Sequence, residues 1–231
     1  MLKSLVMRLN PQSTIVSVFS AVMLSSLVCS LSIQQCHAGE LIAESAEETQ
    51  PLRTGQQAPS FVVRNADNEE ITFDPDSLER PVVLITFRGG WCPFCNMHLS
   101  ELRTVVPDIG AMGIDVMFLS GDRPDMLYAS LAEDTQENIE ELDYQIYSDA
   151  DANAAIALGV AFKVSEHTIN RRNEKGQDIE DSSMLRHGVL PVPAVYAIDK
   201  TGLIRFDFVE PNYKVRLPAE ELLAVSRELV Q

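Results

Sequence analysis

Basic residues are the scarce class in this chain: 18 Lys and Arg stand against 34 Asp and Glu, a net charge of −16. So acidic a surface repels phosphate backbones, which excludes nucleic acid as a partner. Histidine and cysteine are also few, four of each, and the sequence holds one C-x-x-C pair, Cys92 and Cys95. A structural zinc site needs four ligands, and His98, His167 and His187 are too scattered to complete one around a single pair. Asn96 stands where a haem-attachment motif needs histidine after the second cysteine, and no nucleotide or flavin motif occurs. No cofactor or metal is therefore expected. No internal repeat or low-complexity block occurs beyond residue 55.

Charge is nearly absent from residues 1–38, where Lys3 and Arg8 precede an apolar and small-residue run from Ile15 to Ile33. That order is a secretory signal, and Cys36-His37-Ala38 offers a small-x-small exit with cleavage before Gly39. The expected location is extracytoplasmic, periplasmic or secreted; the alternative is an uncleaved membrane anchor, since the run is about long enough to span a bilayer. A lipid-attachment site is disfavoured because Leu27-Val28 and Gln34-Gln35, rather than small residues, precede Cys29 and Cys36. Cleavage would remove both of those cysteines and leave one dithiol. It would also leave 16 basic against 34 acidic residues, taking the net charge from −16 to −18. Residues 39–54 are acidic and aperiodic and are expected to be a flexible linker before a domain over 55–231.

Within that domain, Phe61-Val62-Val63 and Ile71-Thr72-Phe73 flank a polar stretch and predict a hairpin. Pro81 to Phe87 is a continuous apolar, β-branched run, the mark of a strand buried on both faces. Leu99, Leu102, Val106 and Ile109 come after Cys95 at helical spacing, with Pro107 expected to kink or end the helix. Further on the pattern predicts a strand over Ile114–Leu119 and helix over Pro124–Leu142, broken near Asp134. An edge strand over Tyr144–Tyr147 and a short helix over Asp151–Leu158 come next. Lys163–Gly188 is polar and without a strong period. Ala194–Ile198 and Leu203–Phe208 form a hairpin about Asp199–Gly202, and Pro218–Val230 is an amphipathic helix. The class is α/β with a mixed sheet.

The spacing that turns Leu99 and Leu102 inward puts Cys95 on the same buried stripe. Cys92, at the strand-to-helix junction, is expected to be the more exposed sulfur, with its pKa lowered by the first-turn amides and the helix dipole. Pro93 costs little in that turn, having no amide hydrogen to leave unpaired. Geometry thus predicts a nucleophile, Cys92, and a resolver, Cys95. A structural disulfide here would close too small a loop to stabilise much. Trp91 reads as a packing residue and Gly89-Gly90 as a tight turn. Arg88 is either a solvated charge or a cation holding a thiolate, and His98 a half-buried packing residue.

Phe87 to Cys95 (FRGGWCPFC) resembles a thioredoxin-fold active site and, in detail, the peroxiredoxin-like branch of the AhpC/TSA (redoxin) family. Gly55 to Phe61 (GQQAPSF) is similar to that family's entry segment and Leu190 to Gly202 (LPVPAVYAIDKTG) to its late strand and hairpin. Phe208 to Tyr213 (FVEPNY) resembles the family's segment beyond that hairpin. The resemblance implies a thioredoxin-like fold, a mixed central sheet flanked by helices. It also implies that Pro193 is a cis-proline facing the dithiol, with neighbouring backbone free to pair with an extended substrate. Three positions depart from the peroxidase pattern. With Cys95 laid on the peroxidatic cysteine, Cys92 replaces a threonine, Arg88 a proline and Pro193 a later arginine. Thr86 replaces the buried acid of thioredoxin.

The resulting first expectation is an exported dithiol oxidoreductase cycling a Cys92–Cys95 disulfide, with disulfide-bearing proteins or small thiols and a thiol reductant as partners. The second is a peroxidase using the same cysteines, with peroxide as oxidant. The third is a copper chaperone in which both cysteines and His187 hold the metal. A membrane is a partner only if the N-terminal segment stays attached.

Overall fold

A computed structural model describes residues 42–139, 142, 144–175 and 187–231. The predicted signal, with Cys29 and Cys36, lies outside the described residues. Among those described, no helix is long and apolar enough to cross a membrane.

The predicted first hairpin forms β1 (Phe61–Arg64) and β2 (Glu70–Phe73). The apolar run makes β3 (Val82–Phe87), all six residues buried. Its neighbours are β4 (Asp115–Ser120), parallel, and β8 (Ala194–Ile198), antiparallel. With β5 (Gln145–Ser148) and β9 (Ile204–Val209) they form a seven-stranded sheet in the order β2-β1-β5-β4-β3-β8-β9. The sheet is mixed, as the pattern predicts, but β5 is not an edge: β1 joins it through Arg64 and Ser148. The alternation that marks pairing between strands distant in sequence is not visible in four residues.

Both faces of β3 are covered. Val82 and Leu84 enter one apolar cluster, with Leu158, Phe162, Leu190 and Tyr196. Val83, Ile85 and Phe87 enter the other, with Cys92, Cys95, Leu99 and Ile109. Burying each such aliphatic side chain contributes about 1.5–3 kcal/mol, so this strand is fixed before any polar contact is considered.

The helix carrying the cysteines is α1 (Pro93–Leu102), and the chain restarts as α2 (Val106–Ala111) with Pro107 in its first turn. The break fits the lack of an amide hydrogen on Pro107, which cannot continue the ladder of α1. In the predicted 124–142 helix, a short 3-10 turn (Pro124–Met126) and α3 (Glu133–Ile139) are separated by a loop. The predicted short helix is α4 (Asn153–Ala157), capped by Asp149, whose carboxylate accepts the Ala154 and Ala155 amides at 2.8 and 2.9 Å.

One expectation needs correction. The described part of the expected linker is packed: Ala43 pairs with Phe162, Leu52 donates to Leu158 O at 3.0 Å, and Ala46 is buried. Small apolar residues inside an acidic stretch suffice to dock it. The polar 163–188 segment is flanked by two short strands and holds one helix among its described residues. β6 (Ala161–Lys163) pairs with β7 (Val189–Pro191) as a second sheet, and α5 (Glu166–Asn173) starts at Ser165, whose side chain accepts the Thr168 amide. The last helix, α6 (Ala219–Leu229), begins after Pro218 as predicted.

Candidate active site

β3 delivers the chain into Arg88-Gly89-Gly90-Trp91, and Cys92 becomes the N-cap of α1 with Pro93 at its first position. The turn needs its glycines. Gly89 has φ 137°, and a Cβ on Gly90 would collide with Ser130. Two buried polar side chains clasp this loop. Asp122 accepts the Gly90 amide at 2.7 Å and the Ser130 hydroxyl at 2.6 Å. Asn96 donates to Gly90 O at 2.6 Å and Cys92 O at 3.1 Å, and accepts the Ala132 amide at 2.8 Å. Neither residue was singled out from the sequence, although Asn96 carries a signal: a polar residue four positions after Cys92, next to the inward stripe.

Both thiols are reduced, and each sulfur residue is only 1% exposed. The expected exposure of Cys92 is thus corrected. Side chains from remote segments close around it. The Arg88 guanidinium lies 4.2 Å from the Tyr213 ring centre, Tyr213 meets Phe94 edge-on at 5.7 Å, and the Arg172 guanidinium lies 4.1 Å from the Trp91 ring centre. Trp91 and Phe94 pack against the same cluster as the sulfurs. Helical periodicity reports only one helix and is blind to such cover.

The two sulfurs titrate apart. A hydrogen bond from the Cys95 thiol is the largest cause that pulls Cys92 down to about 6; burial opposes it, and the Cys95 amide and the Arg88 and Arg216 guanidiniums assist. Burial pushes Cys95 well up, and its bond with Cys92 adds to that. At neutral pH the pair is therefore a Cys92 thiolate beside a Cys95 thiol. Burial also lowers the pKa of Arg88, but an arginine so placed keeps its charge. Arg88 is thus no solvated charge.

Arg216, missed by the sequence reading, donates from Nη2 to Cys95 Sγ at 3.5 Å. It is held in place by its own segment and by α1. Its Nη1 donates to the carbonyls of Tyr213 and Val215. His98 Nε2 meets Leu217 O at 3.1 Å, and Glu101 Oε1 accepts the Ala219 amide at 3.0 Å. Burial, with Arg216 nearby, lowers the His98 pKa to about 4, so the ring is neutral and its Nε2–H donates to Leu217. His98 is more buried than expected, at 6% exposure, and clamps the segment that carries the cation.

The expectation for Pro193 is corrected. No cis peptide bond occurs among the described residues. Thr86 Oγ1 donates to Val192 O and accepts from Ala194 N, both at 2.9 Å. Val192 N donates to Val160 O at 2.8 Å, and Pro193 O accepts the Glu210 amide at 3.3 Å. The backbone beside Pro193 is therefore spent internally and offers no edge to an extended substrate. Thr86, read only as a missing acid, is the reason. His187, the third ligand of the copper alternative, has Nε2 at 2.5 Å from Ala150 O. Among the described residues no three His, Cys, Asp or Glu side chains converge to hold an ion.

The AhpC/TSA family model matches residues 54–207. Peroxiredoxin Bcp of Escherichia coli K12 is 27% identical over 110 residues, 48% of this chain; the match spans 66% of that protein, just under two thirds of its length. Among solved structures, a peroxiredoxin-like protein from Aquifex aeolicus aligns with a TM-score of 0.57 at 21% identity, covering 78% of this chain and 89% of its own. Reduced Prx3 from Vibrio vulnificus in complex with hydrogen peroxide also gives 0.57, at 18% identity, covering 76% and 99%. These likenesses carry the thioredoxin-like fold.

Proposed function

Since this chain belongs to the AhpC/TSA family, we propose that it is a thiol-dependent peroxidase in which Cys92 is the attacking sulfur and Cys95 the resolving one. One observation carries the reading. A sulfur held near pKa 6, on which the Arg88 and Arg216 guanidiniums act, lies 1% exposed beside backbone that offers a protein substrate nothing to pair with. A small oxidant suits that enclosure better than a protein disulfide does. The names of Bcp and of the Vibrio protein, each a peroxiredoxin, support the same choice.

The Cys92 thiolate attacks one peroxide oxygen, the O–O bond breaks, and the departing oxygen takes a proton to leave as water or alcohol. Cys92 is then a sulfenic acid, two electrons oxidised. Arg88 and Arg216 stabilise the negative charge that moves onto the leaving oxygen. The Cys95 sulfur next attacks Cys92, expels water and closes the disulfide. Two electrons from an external thiol reductant restore the pair. Disulfide exchange with proteins, the leading expectation from sequence, becomes the second reading because it requires a docking edge at Pro193.

We also propose that the chain acts outside the cytoplasm, on the support of Lys3, Arg8 and the apolar run over 15–33. Mass analysis of the chain from its native cells would begin at Gly39 under that proposal.

Stopped-flow fluorescence of Trp91, the only tryptophan, tests the chemistry. Reduced protein mixed with hydrogen peroxide is expected to react far faster than a free thiol. Cys92→Ser abolishes the reaction, and Cys95→Ser halts it at the sulfenic acid. A rate no better than a free thiol, alongside rapid reaction with a model disulfide, would return dithiol exchange to first place.

A further inference from the structure

Of the two guanidiniums that lower the Cys92 pKa, Arg88 has the larger effect. Its position is not set by a hydrogen bond from Nε, which is buried without an acceptor among the described residues. An interior donor left unpaired is rare, so another contact has to hold the group. Aromatic rings supply it. Arg88 Cζ lies 4.2 Å from the Tyr213 ring centre and 5.8 Å from that of Phe162. Tyr213 is well inside the range over which a ring face attracts a guanidinium, and Phe162 is near its limit.

Tyr213 makes two further contacts at the site. Its ring meets that of Phe94, which lies between the two cysteines, edge-on at 5.7 Å. Its carbonyl accepts from Arg216 Nη1, and the Nη2 of the same guanidinium donates to Cys95 Sγ at 3.5 Å. One residue therefore contacts both cations and the helical turn that carries the sulfurs. The backbone around it is fixed separately. Val215 N donates to Asn212 O at 2.9 Å, Lys214 N to Asn212 Oδ1 at 3.2 Å, and Glu210 N to Pro193 O at 3.3 Å. Asn212 thus opens a turn with Tyr213 at its second position. The remaining groups that interact with Cys92 are the Cys95 thiol and Arg172, and Arg172 is stacked on Trp91 rather than on Tyr213.

We propose that Tyr213 is a positioning residue for the attacking sulfur: its ring holds the Arg88 guanidinium toward Cys92, while its carbonyl holds Arg216 toward Cys95. The assignment rests on the reading of Cys92 as the nucleophile. Tyr213 acts through the two arginines, so its hydroxyl takes no part. A side chain of similar bulk without a ring cannot attract the Arg88 guanidinium, and the Cys92 thiolate then loses the stronger of these two cations.

The test reads Cys92 ionisation from the ultraviolet absorbance of the thiolate in reduced full-length protein, each variant against its Cys92→Ser counterpart, so it needs no peroxide. Tyr213→Leu is expected to move the midpoint from about 6 to about 7. Tyr213→Met, which keeps volume without a ring, gives the same result and serves if the leucine variant does not fold. Tyr213→Phe keeps both ring and carbonyl and restores the wild-type midpoint. In an Arg88→Gln background, Tyr213→Leu adds little further shift. An unmoved midpoint in the leucine and methionine variants would overturn the assignment, and so would a rise in Tyr213→Phe as large as in Tyr213→Leu. A shift undiminished by Arg88→Gln would overturn it too, since the substitution would then act by loosening the fold. Peroxide oxidation of Tyr213→Leu at pH 7 should slow about twofold or more as thiolate is lost. A shifted midpoint in a protein inert to peroxide would break the peroxidase reading and leave the positioning of Arg88 standing.

Discussion

Two stretches meet at the sulfurs, and they are built differently. Val82 to Leu102 is organised from within: a buried strand, a glycine turn, an N-cap and a helix succeed one another without interruption. Tyr213 to Ala219 contains no helix or strand before Ala219 and is held by what α1 offers it, His98 to Leu217 O and Glu101 to Ala219 N. The first stretch supplies the thiolate and the second supplies a cation, Arg216. Reactive sulfur chemistry is encoded locally together with most of its tuning, through the Cys95 thiol and amide and Arg88, whereas Arg216 adds a smaller share from outside.

That contrast can be broken at its most rigid point first. Asp122→Ala leaves the Gly90 amide and Ser130 hydroxyl without their buried acceptor, and should cost about 2–3 kcal/mol of stability in denaturant titration. A loss below 0.5 kcal/mol, roughly the scale of a surface change, would mean that the loop holds itself.

The clamp on the second stretch is tested by pH. His98 has a folded pKa near 4 against an unfolded value of 6.5, so between those values the unfolded chain binds more protons. Stability should therefore fall as pH drops from 6.5 toward 4, by about 2–3 kcal/mol. Comparing unfolding midpoints of wild type and His98→Leu isolates this slope, which the variant should lack. Equal slopes in the two proteins would remove His98 as its source.

The smallest expected change in free energy is functional. Arg216→Gln removes one of the cations acting on Cys92, so the sulfur's pKa rises and peroxide oxidation at pH 7 slows by roughly twofold or more. In the wild type the same rate should rise with pH and level off above about 6, where Cys92 is ionised. The variant's rise should move to higher pH with little change in melting temperature. An unmoved profile would assign the tuning to Arg88 and the Cys95 thiol alone.

Much of this was legible beforehand. β3 could be read because apolar residues on both faces leave no alternative to a doubly covered strand, and α1 because Leu99, Leu102 and Cys95 share one face. β5 lost its predicted edge position because pairing with β1 is settled by the hairpin's placement, which four residues do not specify. α5 escaped notice because it buries no residue completely and so shows no apolar period. Arg216 could not be found from the motif, since 121 residues separate it from Cys95.

By itself the sequence determined a dithiol at the start of a buried helix, with Cys92 at the N-cap and Cys95 on the inward face, because strand and helix periodicities are local properties of the chain. Tertiary structure alone decided three things: that both sulfurs are covered, that the Arg216 guanidinium reaches Cys95, and that Thr86 spends the backbone beside Pro193. Each depends on contacts between segments far apart in the chain, and such distances leave no period to read.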